Sequence, residues 1–177
     1  SATSDLPSNG VMFYLVGYSI TNLVVFAALI SFFNMTGKEE ITDLGGLDDH
    51  QPFLAACLGM GLFSLAGLPI FAGFTMKFYL FTAVANEGFL WLAGVAIFSS
   101  LIGLYYYLNV LRQIYIEPTP TCDNGGDWLE ENPMLAERPS WSLITVLASG
   151  SAAMIWLGVY PKPLIDVIEA ASRALMP

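Results

Sequence analysis

The sequence predicts an all-α membrane protein with four transmembrane helices, the second discontinuous at a proline, and a short C-terminal interfacial helix. Three observations predict it. Of the 177 residues, 55% are hydrophobic and 12% are charged, about half the ~25% charged residues of an ordinary soluble domain. The charges are segregated: residues 11–33, 51–86, 88–111 and 139–161 make up 106 positions and contain one charged side chain, Lys77. Each stretch reaches the ~20 apolar residues needed to cross the ~30 Å hydrocarbon core of a bilayer. This pattern excludes a soluble enzyme. The net charge of −9 sits in the loops, which excludes a polybasic surface for nucleic acid or anionic lipid.

The first span, about 11–33, stops at Asn34-Met35-Thr36-Gly37-Lys38. Asn and Gly end helices, and a cation suits the negative end of the macrodipole. An acidic loop from Glu39 to His50 follows. The second span begins at Pro52, where proline fits the first turn of a helix, and runs to Asn86. A continuous helix of that length would overshoot the bilayer at ~1.5 Å per residue. Gly67, Pro69 and Gly73 lie within it, and proline removes a backbone donor and clashes with the preceding turn, so a break between about Ala66 and Gly73 is expected. Asn86-Glu87-Gly88 is a tight turn into the third span, about 89–111, closed by Arg112. Residues 117–139 are rich in Pro, Gly and acids and read as an irregular loop. The fourth span, about 140–160, stops at Pro161-Lys162-Pro163. The stretch from Leu164 to Met176 alternates apolar residues with Asp166, Glu169 and Arg173 in a pattern that suits a helix lying at the interface.

Lys77 is the residue most demanding of explanation, because an ionisable group at membrane depth is unfavourable by about 2.5–3.5 kcal/mol on insertion scales. One reading is a lysine facing the bundle interior that takes and releases a proton, a task for which Lys is better suited than Arg. The other is a snorkelling lysine near a span end. Its distance from both Pro69 and Glu87 favours the first. Gly73, one turn earlier on the same face, is expected to leave room beside the ammonium for another helix or for water. The segment around Gly67 and Pro69 would free backbone carbonyls, and irregular backbone at depth is tolerated only where it is buried in protein or lines a wet cavity. A plain proline kink is the alternative, and the lysine on the same span weighs against it.

Other polar groups are read more plainly. Ser99 and Gly103, with Tyr107 on the same face, suit helix packing. The run from Tyr105 to Tyr107 suits an interfacial aromatic belt. Tyr14, Tyr18, Thr21, Asn22, Ser149 and Ser151 either hold helices together or hold water, with packing the main use; Ser64 and Tyr107 share that ambiguity. His50 reads as a boundary residue before Pro52 rather than a proton donor, although its intrinsic pKa would suit one. Cys57 and Cys122 have no metal-ligand spacing. The sequence carries no metal cluster, nucleophile with its base, phosphate-binding loop, or flavin or nicotinamide motif, so no cofactor is expected and redox chemistry is not expected of this chain.

The run SLAGLPIFAGFTMKFYLF at residues 64–81 resembles the discontinuous helix of the antiporter-like membrane subunits of respiratory complex I, the NADH-quinone oxidoreductase, and of their Mrp-type relatives. His50-Gln51-Pro52, Leu104-Tyr105-Tyr106-Tyr107-Leu108 and the stretch from Gly158 to Leu164 look most like the complex I branch. The resemblance implies that residues 1–177 are the C-terminal part of a proton-translocating subunit, and the absence of an initiator Met before Ser1 is in keeping with that. It also implies that Lys77 belongs to the proton path, as a non-redox element of a translocase. Implied partners are the other membrane subunits of the complex, the preceding helices of the same subunit, and the lipid of a prokaryotic plasma membrane. A subunit of an Mrp-type cation/proton antiporter or a membrane-bound hydrogenase is the alternative, and a purely structural scaffold a third. Two departures stand out: a single Pro69 followed by Ile70 replaces the family's Pro-Pro, and Met76 replaces the Gly that often precedes the Lys.

Lys38, Arg112 and Arg138 flank loops on one side of the predicted spans, against Lys162 and Arg173 on the other, which places loops 34–52 and 112–139 in the cytoplasm and both ends of the chain outside. Single-cysteine probes at Asn124 and Asn86 should therefore label from opposite sides of the membrane. External labelling of Asn124 by an impermeant reagent would reverse the orientation.

Overall fold

A computed structural model describes residues 6–117 and 140–175, with side chains from 9 to 117 and from 140 to 172; the expected loop at 117–139 lies almost wholly outside this range. The described residues are all-helical or irregular, with no strand. In order they form α1 (Leu6–Thr36), a 3-10 turn (Ile41–Leu44), α2 (Leu47–His50), α3 (Pro52–Ala66), α4 (Ala72–Asn86), α5 (Leu90–Tyr115), α6 (Trp141–Val159) and α7 (Lys162–Leu175). Among the described residues, three helices are long and apolar enough to cross a membrane, over Asn9–Thr36, Leu90–Tyr115 and Trp141–Val159, and α3 is a shorter apolar helix.

The helix α1 ends at Gly37, whose φ of +69° is open to glycine, and the Gly37 amide closes the last turn on the Phe33 carbonyl at 2.7 Å. The acidic stretch after it is more ordered than its composition suggests. Leu44 and Leu47 are buried against Leu111 and Ile114, and the Gln113 amide donates to the Thr42 carbonyl at 3.2 Å. Acids such as Glu39 and Asp49 are exposed, while the buried run from Leu44 to Leu47 anchors the segment to the bundle.

At the centre lies α1, in contact with α3, α4, α6 and α7. Val24, Ala28 and Phe32 pack with Leu54, Leu58, Leu147 and Met154 in one apolar cluster. Phe13 packs with Ala72, Met76, Leu157 and Ile168 in a second. Between the two, at the level of Thr21, the interior is polar: Thr21 and Ser64 are fully buried.

Small residues set the spacing. A methyl group at Gly61 or Gly150 would run into the Cγ2 atoms of Val25 and Val24 respectively, so α3 and α6 approach α1 backbone to side chain. A methyl at Gly158 would meet the backbone of Ile70 and Phe71, and one at Gly73 would meet the Ser64 carbonyl. Neither obstacle is a flexible side-chain tip, so nothing nearby can yield cheaply. By contrast, nothing lies within 4 Å of a methyl at Gly94 on α5.

Gly158→Ala is accordingly expected to destabilise the full-length protein by ~3 kcal/mol, the upper end of overpacking effects. Gly94→Ala is expected to be neutral or stabilising by up to ~1 kcal/mol through helix propensity. Thermal unfolding of the detergent-purified protein compares the two, and equal stability of both variants would contradict the packing described.

Candidate functional site

The apolar run from Pro52 to Asn86 is divided into α3 and α4 by five residues, Gly67 to Phe71. Gly67 takes φ +89°, and its amide together with that of Leu68 closes on the carbonyls of Phe63 and Ser64 at 3.0–3.1 Å, the two bonds of a Schellman motif. Helix α3 therefore ends before Pro69 is reached. Pro69 instead occupies the second position of a turn closed by the Phe71 amide on the Leu68 carbonyl at 3.1 Å, where its fixed φ is favourable. It is exposed.

The Schellman closure leaves the Leu65 carbonyl without a backbone partner, and Lys77 supplies one. Its Nζ donates to the Leu65 carbonyl at 2.7 Å and to Ser100 Oγ at 3.0 Å. Half-buried on α4, the ammonium thus sits at the carboxyl end of α3, where the helix dipole favours a cation, and reaches across to α5. Both partners are neutral. A charge held by dipoles alone is less firmly fixed than one paired with a carboxylate.

A directed chain of hydrogen bonds holds the two half-helices in place. The Gly73 amide, an orphan donor in the first turn of α4, donates to Ser64 Oγ at 3.1 Å. Ser64 Oγ lies 3.2 Å from Thr21 Oγ1, which donates to the Gly17 carbonyl at 3.0 Å. Since the Thr21 proton is used on Gly17, Ser64 is the donor to Thr21. The chain runs Gly73 to Ser64 to Thr21 to Gly17 and links α4, α3 and α1. On the far side, Thr75 Oγ1 donates to the Gly158 carbonyl of α6 at 3.0 Å.

Beside Lys77 lies a cavity of about 450 Å³, bordered by Tyr14, Tyr18, Ser64, Gly73, Ser99 and Tyr107 among others. Tyr14 and Tyr18 stack one turn apart on α1, with ring centroids at 5.6 Å. A larger, mostly apolar cavity of about 760 Å³ shares Leu65 and Tyr107 with it and extends to Lys38, Glu39 and Glu40.

Of the residues singled out in the sequence, Lys77, Gly67, Gly73, Ser64 and Tyr107 come together here, whereas Pro69 lies outside the cavity and His50 closes the short α2. Two alternatives are narrowed. The space at Gly73 is filled by another helix, since its missing side chain is where the Ser64 carbonyl of α3 fits. The Ser64 hydroxyl joins helices, accepting from the Gly73 amide and donating to Thr21. The sequence reading also missed Ser100 and favoured its neighbour Ser99 on the strength of the spacing to Gly103. Among the described residues, no group of three His, Cys, Asp or Glu side chains is placed to hold a metal.

Comparison with known proteins places this geometry in context. Residues 2–103 match the transmembrane family described as NADH:quinone oxidoreductase/Mrp antiporter. The NADH-quinone oxidoreductase subunit N of Desulfitobacterium hafniense is 35% identical over 94% of this chain and 31% of its own length. The protein of the same name from Heliobacterium modesticaldum is 34% identical over 98% of this chain and 34% of its own. The chain therefore spans about a third of the length of these curated relatives. A chain in the structure of the Mrp complex from Dietzia sp. superimposes with a TM-score of 0.76 at 21% identity, over 93% of this chain and 37% of that one.

The hydrogen-bond chain predicts coupling between its members. Ser64→Ala should destabilise the protein by ~1–2 kcal/mol, since it leaves the Gly73 amide unpaired. Combining it with Thr21→Val should cost less than the sum of the single variants, because the second substitution removes a bond already lost. Unfolding midpoints of the three variants check this, and strict additivity would mean that the chain does not act as a unit.

Proposed function

The chain belongs to the NADH:quinone oxidoreductase/Mrp antiporter transmembrane family, and from that premise we propose that it is part of a subunit-N-like membrane subunit carrying protons across the membrane arm of an NADH-quinone oxidoreductase. In this reading α3 and α4 together make one discontinuous crossing, which gives four spans with α1, α5 and α6, and α7 lies at the interface. The membrane is a bacterial plasma membrane with both ends of this segment on its outer side. The remaining partners are the earlier helices of the same subunit and the neighbouring membrane subunits.

The observation that carries the proposal is Lys77, the one charge among 106 embedded positions, with two of its three donors on the neutral acceptors Leu65 and Ser100. Two hydrogen bonds offset part of the desolvation of the ammonium without a counter-charge to trap its proton. The third N–H and the adjoining cavity, bordered by the hydroxyl-bearing Tyr14, Tyr18, Ser99 and Tyr107, give the proton a way on and off through water. Quinone reduction elsewhere in the complex changes the charge of groups along the membrane arm, and Lys77 responds by releasing and regaining its proton. The chain itself carries out no redox step in this scheme.

A second reading, a subunit of an Mrp-type antiporter, is favoured by the fold shared with the Dietzia complex. The identity to subunit N over nearly the whole chain favours the first. A scaffold without transport would leave the lysine replaceable.

Lys77→Met keeps much of the stem and removes the titrating group. Lys77→Arg keeps a charge that does not deprotonate. In the complete complex, assembled to normal amounts in sealed vesicles, both variants are expected to lower the protons pumped per electron. Pumping at the parental ratio by both would return Lys77 to a packing role.

A further inference from the structure

Most hydroxyls on the embedded helices have a fixed use. Ser19, Thr21, Ser31, Thr36 and Thr82 each donate to the backbone carbonyl four residues earlier, and Ser149 to the one three residues earlier. This local bonding is the ordinary behaviour of Ser and Thr within helices. Ser64 is committed to Gly73 and Thr21. Ser100 differs. It lies in the middle of α5, and among the described residues its hydrogen-bond partner is Lys77 alone, as acceptor at 3.0 Å. Its own proton is therefore not spent on the helix.

The two partners of the ammonium are chemically unequal. The Leu65 carbonyl accepts and can do nothing else, whereas a hydroxyl both accepts and donates. An ammonium offers three N–H donors; a neutral amine offers two and one lone pair. When the proton leaves Nζ for water in the adjoining cavity, the Leu65 carbonyl can keep one N–H, and the new lone pair needs a donor. Ser100 is placed to provide it by rotating its O–H about the Cβ–Oγ bond. No bond of Ser100 breaks, and the only proton that changes owner passes from Nζ to water.

We propose that Ser100 is a proton-path residue that serves both protonation states of Lys77, accepting a hydrogen bond from the ammonium and donating one to the amine. The proposal rests on Lys77 being the proton carrier. It also gives α5, which buries few of its side chains, a chemical part in the site: the helix carries the amphoteric partner up to the lysine.

The test uses the complete complex in sealed vesicles, with Ser100→Thr and Ser100→Val compared at equal assembly. Thr and Val nearly match in shape, so the pair isolates the hydroxyl. Ser100→Val is expected to slow proton delivery about ten-fold, the order expected for one hydrogen bond to a charged group, and to displace the pH optimum of pumping. Ser100→Thr should keep both the rate and the pH profile. If the branched side chains prevent assembly, Ser100→Ala replaces Val and the parental Ser replaces Thr as the reference. Where Lys77→Met impairs pumping but Ser100→Val pumps at the parental rate and pH profile, the role of Ser100 is refuted and that of Lys77 stands. Equal loss in the Thr and Val variants would refute it as well, since volume rather than the hydroxyl would then matter. Normal pumping by Lys77→Met would overturn the lysine reading and this proposal together.

Discussion

An interrupted helix in an apolar medium leaves carbonyls with no donor, and a lysine in the same medium leaves an ammonium with no acceptor. Here each deficiency supplies the other. The Leu65 carbonyl, left over when Gly67 turns the chain, receives Lys77 at 2.7 Å, and much of the arrangement follows from that contact. Helix α4 must return close beside the end of α3 for a residue one turn and a half into it to reach back. That return requires Gly73 against the Ser64 carbonyl. The remaining reach of the ammonium determines where α5 has to lie, with Ser100 at 3.0 Å.

The polar layer is thin and enclosed. Apolar clusters lie to either side along α1, one around Leu54 and Leu58 and the other around Phe13 and Met76, and between them the buried hydroxyls of Thr21 and Ser64 complete each other's bonding. In hydrocarbon an unmatched hydroxyl is a liability, although the measured worth of such bonds in membranes is modest, of the order of 1 kcal/mol. Their effect here is geometric more than energetic. They fix the register between two half-helices that share no continuous backbone ladder, and so fix where Nζ sits.

Much of this was legible in the sequence, for physical reasons. A lone lysine among 106 otherwise uncharged positions stands out because burial of charge is unfavourable everywhere. A helix stop at Gly67 is legible because few residues other than glycine take positive φ. The part played by Pro69 was less so, since a proline within an apolar run reads the same whether it kinks a helix or shapes the turn after one. Ser100 was not legible. Ser99 and Ser100 differ by ~100° around the helix, and only the position of α4 decides which faces Lys77. Gly73 was legible only in part for a related reason: a missing side chain announces space, but the sequence does not say whether water or a neighbouring helix fills it. The acidic stretch before α3 misled through composition, because Leu44 and Leu47 organise it in spite of the charges around them.

The contact of Gly158 with the chain at Ile70 and Phe71, together with the bond from Thr75 to the Gly158 carbonyl, has a mechanical consequence. An interrupted helix is easily pictured as a hinge, with one half swinging about flexible backbone. In this molecule the start of α4 is pinned on one side to α3 and α1 through Ser64 and on the other to the end of α6. A swing about the interruption would separate surfaces that touch atom to backbone on both flanks. A swing of α4 at this point is therefore opposed from both flanks, and any displacement that keeps these contacts carries α4 and α6 together.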